Sequence, residues 1–276
     1  MRSRDIRRKY GQNYLTDKSV LFKMADAISP ISSDNFLEIG PGLGALTEQI
    51  NKGDINIIAI DVDSENTEIL KNKFTGPANF QFLTDDILKY KIENDRQWIV
   101  GNLPYNISTQ IILKLIDSCE KILDMHFLVQ KEVAEKIAGK VGTKSWGKLA
   151  IKIAAFFDNE ILFDVPPEAF DIKPKVNSSF IRLMPNKNLK ENINQKDNFF
   201  KLIDLAFSSR RKNIKNNLKS LSINWNEVDI DPTKRPEEIC LDDYLLLSKV
   251  LVLWCLTLWL EMCRVVMMNL LIYVQK

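Results

Sequence analysis

The stretch Phe36-Leu37-Glu38-Ile39-Gly40-Pro41-Gly42-Leu43-Gly44-Ala45-Leu46-Thr47 constrains the fold more than any other part of this chain. An apolar run ends in glycines where a helix-forming run begins, the pattern of a strand, a tight turn and a helix start. Glycine at such a turn lets backbone approach a bound group closely and leaves amides facing it. The rhythm continues on both sides. Strands are predicted at Asn35 to Ile39, Ile55 to Ile60, Phe80 to Leu83 and Trp98 to Val100, with helical stretches between them. Alternation of this kind predicts a parallel sheet with crossover helices.

Beyond it come a strand at Met125 to Val129, a helix from Lys131 to about Ala138, a helical run from Leu149 to Phe157, and strands at Ile161 to Val165 and Ser178 to Met184. The predicted class is therefore α/β, a doubly wound Rossmann-like sheet closing near Pro185. After Pro185 the composition shifts to Asn, Lys and Gln, then to helical patterns around Phe199 to Phe207 and Ile214 to Leu221. The expected organisation is a principal domain over 1–185, a small all-helical domain over 186–249 and an apolar tail over 250–276. Phe199, Phe200 and Phe207 recur at helical spacing and are expected in the small domain's core.

At 276 residues the chain is long enough for a sizeable core. Its net charge of +2 is unevenly spread. Arg2, Arg4, Arg7, Arg8 and Lys9 oppose only Asp5, and between 186 and 219 nine Lys or Arg face only Glu191, Asp197 and Asp204. Two basic stretches around an acidic middle fit a polyanion gripped outside a catalytic centre, because phosphate neutralisation supplies much of nucleic-acid affinity. Cys119, Cys240, Cys255 and Cys263 have no paired spacing, and His126 has no partner motif. A reducing compartment and no metal are expected, with His126 a structural residue beside a buried strand. The charged start lacks the apolar run of a secretory signal, so a cytoplasmic location is expected. The tail reaches a membrane-spanning length only by including Glu261, Arg264 and Asn269, which makes a span unfavourable.

The glycine loop alone leaves two cofactor classes open. Gly40-x-Gly42-x-x-Ala45 satisfies a dinucleotide fingerprint, with Asp61 standing 21 residues beyond Gly40 to meet ribose hydroxyls. Glu38 ahead of the loop and a second acid at Asp85-Asp86, placed for an adenine amino group, favour a nucleoside methyl donor. About sixty residues on from Gly42 lies Asn102-Leu103-Pro104-Tyr105. An asparagine amide oxygen beside backbone carbonyls suits an exocyclic amine, Pro104 pre-sets the turn, and Tyr105 offers a ring for stacking, worth about 1–3 kcal/mol. Together these predict methyl transfer to adenine N6 in a nucleic acid, by positioning and electrostatics without a strong general base.

Gln12-Asn13-Tyr14-Leu15, Glu38 to Thr47, Gly101 to Thr109, Met125 to Val133, Lys148-Leu149, Val165 to Phe170 and Lys173-Pro174-Lys175-Val176-Asn177-Ser178 together resemble the KsgA-type small-subunit ribosomal RNA adenine dimethyltransferases, over about Gly11 to Leu247. The resemblance implies a class I methyltransferase sheet, S-adenosylmethionine as donor, and dimethylation of two adjacent adenines near the 3′ end of 16S RNA within an immature small subunit. It implies that Asn13, Leu15, Gly40, Gly42, Asp61, Asp86 and Asn102 hold the donor and that Asn102, Leu103, Pro104 and Tyr105 receive the target base. Phe170 is implied as a second aromatic over that base, and Lys173, Lys175, Arg210, Arg211 and Lys212 as RNA-facing cations. A target adenine would have to leave its stack, which favours a loop substrate.

Two positions depart from the family pattern. Asp61 stands where the family usually has Glu, one methylene shorter, and Ile172 where it tends to have proline, loosening a turn beside Phe170. The tail after Leu247 has no counterpart. Two rival readings share the architecture: a large-subunit rRNA adenine methyltransferase of the antibiotic-resistance kind, and an RNA-binding assembly factor without turnover. A dehydrogenase is the third, and it predicts NAD binding.

Overall fold

A computed structural model describes residues 13–31, 34–51, 55–75, 79–186, 196–221 and 223–249. The basic start, the polar 187–195 stretch and the 250–276 tail lie outside the described residues. Contacts divide the chain into two units, Met1–Ala138 with Phe156–Leu189, and Gly139–Ala155 with Lys190–Lys276. The linear division expected at Pro185 differs from this in its boundary, after Leu189, and in the placing of one internal segment. Gly139–Ala155, assigned by chain order to the first domain, groups with the second unit, because the chain leaves the sheet unit after Ala138 and returns at Phe156.

The first unit is a seven-stranded sheet. Its strands are β1 (Asn35–Ile39), β2 (Asn56–Asp61), β3 (Phe80–Thr84), β4 (Gln97–Asn102), β5 (Ile122–Gln130), β6 (Phe157–Val165) and β7 (Ser178–Pro185), in the order β3-β2-β1-β4-β5-β7-β6. Strands β1 to β5 pair in parallel, whereas β7 runs antiparallel to both β5 and β6. The parallel pairing expected over 35–100 is found, and the later strands make the whole sheet mixed. The link from β6 to β7 contains only a short 3-10 turn, Pro167–Ala169, and without a crossover helix the returning strand pairs antiparallel. The expected helical run to Phe157 also ends early, at Ala154, with β6 beginning at Phe157. A continuous apolar stretch carries no period that separates buried helix from buried strand.

Among the described residues, four helices of this unit precede β5: α1 (Lys18–Ile28), α2 (Ala45–Ile50), α3 (Ser64–Lys73) and α4 (Ser108–Leu115). A fifth, α5 (Lys131–Ile137), follows it. Helix α1 starts because the Asp17 carboxylate accepts hydrogen bonds from the Ser19 and Val20 amides. It buries Leu21, Met24, Ala25 and Ile28, one apolar stripe at three- and four-residue spacing. That stripe joins a core with Phe36, Leu46, Ile57, Ala59 and Leu70. Burial of each large aliphatic chain contributes about 1.5–3 kcal/mol. The consequence for the site is topological: strand order reverses between β1 and β4, opening a crevice at their carboxyl ends.

The second unit is helical: α6 (Lys148–Ala154), α7 (Lys196–Ala206), α8 (Ile214–Asn217) and a helical stretch at 241–249. Its core includes Phe199, Leu202, Ile203, Phe207, Ile214, Tyr244 and Leu247. Phe200 is only half-buried, and the Lys152 ammonium lies 4.6 Å from its ring centroid. The expectation of a core Phe200 is corrected: it adjoins Phe199 on the helix, and successive residues face about 100° apart. Among the described residues no helix is long and apolar enough to cross a membrane.

Candidate active site

Three adjoining recesses open at the carboxyl ends of β1, β2 and β4, of about 970, 460 and 790 Å³, and all three share Gly40. The first also reaches Leu15, Glu38 and Asn102; the second, Asn13, Asp61 and Asn102 to Tyr105; the third, Asp61, Asp85 and Asp86. The expected cofactor positions and the tetrapeptide, separated by tens of residues in sequence, therefore border one continuous crevice.

The floor is the glycine turn. Gly42 has φ of 56°, in the left-handed region, and a Cβ built there would come within 2.8 Å of the Tyr14 ring. Glycine is required twice over, by conformation and by the ring seated on it. Tyr14 belongs to a strap laced to the 169–171 segment. The Asp171 amide donates to the Tyr14 carbonyl at 3.0 Å, the Thr16 amide to the Ala169 carbonyl at 2.9 Å, and the Tyr14 amide to Asp171 Oδ1 at 3.1 Å. Ile172, where proline was the family tendency, supplies an amide that donates to the same Asp171 Oδ1 at 2.7 Å. Proline has no such donor, so this turn is tied by a hydrogen bond rather than by a ring.

The Asn102 amide has a defined role in this packing. Its Nδ2 donates to the Asn13 carbonyl at 2.9 Å, which leaves Oδ1 as the acceptor end. Leu103 is held by the sheet, its amide donating to the Leu128 carbonyl at 3.1 Å. Pro104 closes a turn by accepting from the Ile107 amide at 3.1 Å. The Tyr105 hydroxyl and Ser178 Oγ share a hydrogen bond of 2.5 Å, tethering the ring to β7, and burial raises the phenol's pKa above its ordinary value.

Three acids complete the crevice. Asp61 Oδ1 accepts from the Asp63 amide at 2.9 Å and Oδ2 from Asn66 Nδ2 at 2.9 Å. Asp86 Oδ1 accepts from the Leu88 amide at 3.0 Å. Glu38 is buried, with Thr47 Oγ1 donating to its Oε2 at 2.6 Å. Loss of solvent pushes its carboxyl up to about 7, the Thr47 bond opposes that, and the neighbouring Asp61 charge adds to it. A glycine turn, hydrogen-bonded carboxylates and an apolar wall at Ile87 and Ile107 fit a nucleoside with its ribose and amino group satisfied.

Phe170 lies behind the crevice. It is 3 % exposed, bridges by its backbone to Leu15, sits in the core cluster and lines none of these three recesses. The ladder between strap and 169–171 segment draws the ring inward. Lys173 is exposed in the first unit, 3.7 Å from Glu168, and Lys175 is exposed nearby. Arg210, Arg211 and Lys212 are exposed in the second unit, on a loop fastened by Asn217. Asn217 Nδ2 donates to the Ala206 and Ser209 carbonyls at 2.7 and 2.9 Å, and Arg210 donates to the Lys144 carbonyl at 3.3 Å. Tyr14, Thr47 and Asn66 carry site contacts that motif reading assigned no role. Tyr14 lay inside a quoted motif; nothing local marks Asn66.

Among the described residues no cluster of three metal-ligating side chains occurs. Residues 3–249 match the family described as ribosomal RNA adenine dimethylase. The chain is 40% identical over 249 residues to ribosomal RNA small subunit methyltransferase A of Legionella pneumophila, covering 88% of this chain and 96% of that protein. A dimethyladenosine transferase from Plasmodium falciparum superposes with a TM-score of 0.73 at 25% identity, over 84% of this chain and 94% of that one. The 23S rRNA methyltransferase ErmE shares the fold, with a TM-score of 0.69 at 22% identity over 87% and 99% of the two chains.

Proposed function

The chain belongs to the ribosomal RNA adenine dimethylase family, and from that premise we propose that it dimethylates N6 of two adjacent adenines near the 3′ end of small-subunit rRNA, using S-adenosylmethionine. When bound, that donor supplies a methyl carbon made electrophilic by a sulfonium. The residues of the crevice do the rest. Gly40 and Gly42 would let the donor approach the backbone closely, Asp61 would accept from its ribose hydroxyls and Asp86 from its adenine amine, with Asn13, Leu15 and Asn102 closing the site. Asn102 Oδ1 and the Leu103 carbonyl accept the two protons of the target amine. With both N–H bonds donating there, the lone pair is turned out of conjugation with the ring, where a bound donor's methyl could be met. Tyr105 stacks on the base, and Pro104 holds the two acceptors in register.

The observation that carries this reading is the Asn102 amide, whose nitrogen is occupied by the Asn13 carbonyl so that its oxygen is the end left for an amine. Preorganised acceptors of this kind cost no reorganisation during reaction. Lys173, Lys175, Arg210, Arg211 and Lys212 grip rRNA phosphates, in an immature small subunit assembled in the cytoplasm. The large-subunit reading rests on likeness of fold alone, whereas the relatives at 36–40% identity carry small-subunit names. The test is to map N6-dimethyladenine after incubating the protein and donor with immature small subunits or with protein-free large-subunit rRNA. Paired dimethyladenines on the small subunit support the proposal; modification confined to large-subunit RNA, or none, overturns it.

A further inference from the structure

Asn66 is buried, 2 % exposed, on the first turn of α3, and its amide joins two parts of the crevice that are far apart in sequence. Its Nδ2 donates to Asp61 Oδ2 at 2.9 Å, and its Oδ1 accepts from the Tyr14 hydroxyl at 3.2 Å. The Tyr14 ring at the same time rests against Gly42. One neutral amide thus bridges the acid at the end of β2 and the strap lying over the glycine turn. The Asp63 amide occupies Asp61 Oδ1, so the carboxylate is held by a donor on each oxygen and its plane is set before any ligand arrives.

We propose that Asn66 is a positioning residue that couples closure of the Tyr14 strap to the aim of Asp61 at the donor's ribose. The idea rests on the reading of the crevice as a nucleoside methyl-donor site. Asp61 has a short side chain, and a carboxylate on one methylene cannot reach as far into the recess as Glu would. Holding it in a single orientation offsets that shortness. Asn66 suits the task because an amide donates to the carboxylate with one end and accepts from the phenol with the other, without adding charge beside Asp61. The phenol contact is a neutral hydrogen bond made by a half-buried ring.

The test uses the full chain and four forms: wild type, Asn66→Leu, Tyr14→Phe and the double variant. Affinity for S-adenosylhomocysteine is measured by calorimetry, alongside KM for S-adenosylmethionine and kcat on immature subunits. Asn66→Leu leaves a carboxylate oxygen and a phenol without their shared partner, and its affinity is expected to fall about tenfold or more. KM is expected to rise in parallel while kcat at saturating donor stays within about twofold, the signature of lost uniform binding. Tyr14→Phe is expected to weaken binding about threefold, and adding it to Asn66→Leu is expected to cost nothing more, since both remove the same bridge. Wild-type affinity in Asn66→Leu, losses that add in the double variant, or a fall in kcat with KM unchanged overturns the proposal. A wild-type protein that binds no S-adenosylhomocysteine overturns the cofactor reading beneath it as well.

Discussion

The carboxyl ends of β1 and β2 bury Glu38 and Asp61, and the other half of the same sheet buries Asp124 and His126 on β5, yet only the first pair borders the recesses. Glu38 keeps one hydrogen bond, from Thr47, and burial lifts its pKa to about 7. His126 lies between the rings of Trp98 and Phe180, at centroid distances of 6.2 and 5.8 Å, and neither ring nitrogen has a hydrogen-bond partner among the described residues. Burial pushes its pKa down to about 4, against the pull of Asp124. Asp124 is paired off by Arg182, whose Nε and Nη2 donate to Oδ2 at 2.8 and 2.5 Å. Each cluster is ionisable and buried and holds one perturbed group, Glu38 in the first and His126 in the second. What separates them is space: a titratable group serves ligand chemistry where its polar end faces a volume a ligand can fill. The aromatic sandwich seals His126 into a structural role.

If that contrast is right, damage to the open cluster costs chemistry and damage to the sealed one costs stability. The largest effect belongs to Asn102→Ala, expected to lower kcat by about 10²–10³ while leaving the melting temperature and RNA affinity near wild type. Single-turnover methyl transfer with a parallel thermal melt and filter binding checks it; a large stability loss would blur the two clusters. Next comes Arg182→Ala, which strands the Asp124 carboxylate. Removing one partner of a fully buried pair costs about 3–5 kcal/mol, and with the guanidinium partly exposed we expect about 2–3 kcal/mol in urea unfolding, with methyl transfer per folded molecule unchanged.

The pH dependence sharpens the comparison because the two groups have opposite signs. The unfolded state binds the His126 proton between about 4 and 6.5 while the folded state does not, so this group makes stability rise with pH across that window. Glu38 is protonated in the folded state from 4.5 up to about 7 and ionised in the unfolded one, so its term falls as pH rises. Glu38→Gln is therefore expected to gain about 3 kcal/mol over wild type at pH 8 and little at pH 4. In that variant the His126 slope stands unopposed. Urea midpoints at pH 4, 6 and 8 check the signs, and a Glu38→Gln profile parallel to wild type sinks the assignment. The smallest effect is Tyr105→Phe. It keeps the stacking ring and loses the tether to Ser178, expected to cost about 1 kcal/mol, a several-fold drop in kcat measurable by initial rates.

Most strand positions were readable because β propensity and turn chemistry are expressed within a few residues. Phe36 to Thr47 declares a strand, a left-handed turn and a helix in adjacent positions. Local pattern misplaced two residues for different reasons. Phe157 opens a strand because an apolar residue states that it is buried, not in which element, and Phe200 turns from the core because it adjoins Phe199 on the helix. Phe170 pairs by an isolated bridge with Leu15, a contact that no local pattern announces.

The amino-acid order alone determined the α/β rhythm, the glycine turn, the acids that follow successive strands and the Asn102 to Tyr105 tetrapeptide. Folding decided which end of the Asn102 amide faces outward, that Tyr14 rests on Gly42, and that Asn66 spans Tyr14 and Asp61. Those contacts join residues 89 apart for Asn102 and Asn13, 52 for Tyr14 and Asn66, and 157 for Tyr14 and Asp171. Periodicity is written along the chain by side-chain spacing, whereas a contact between distant segments exists only after strand order and loop closure have brought them together.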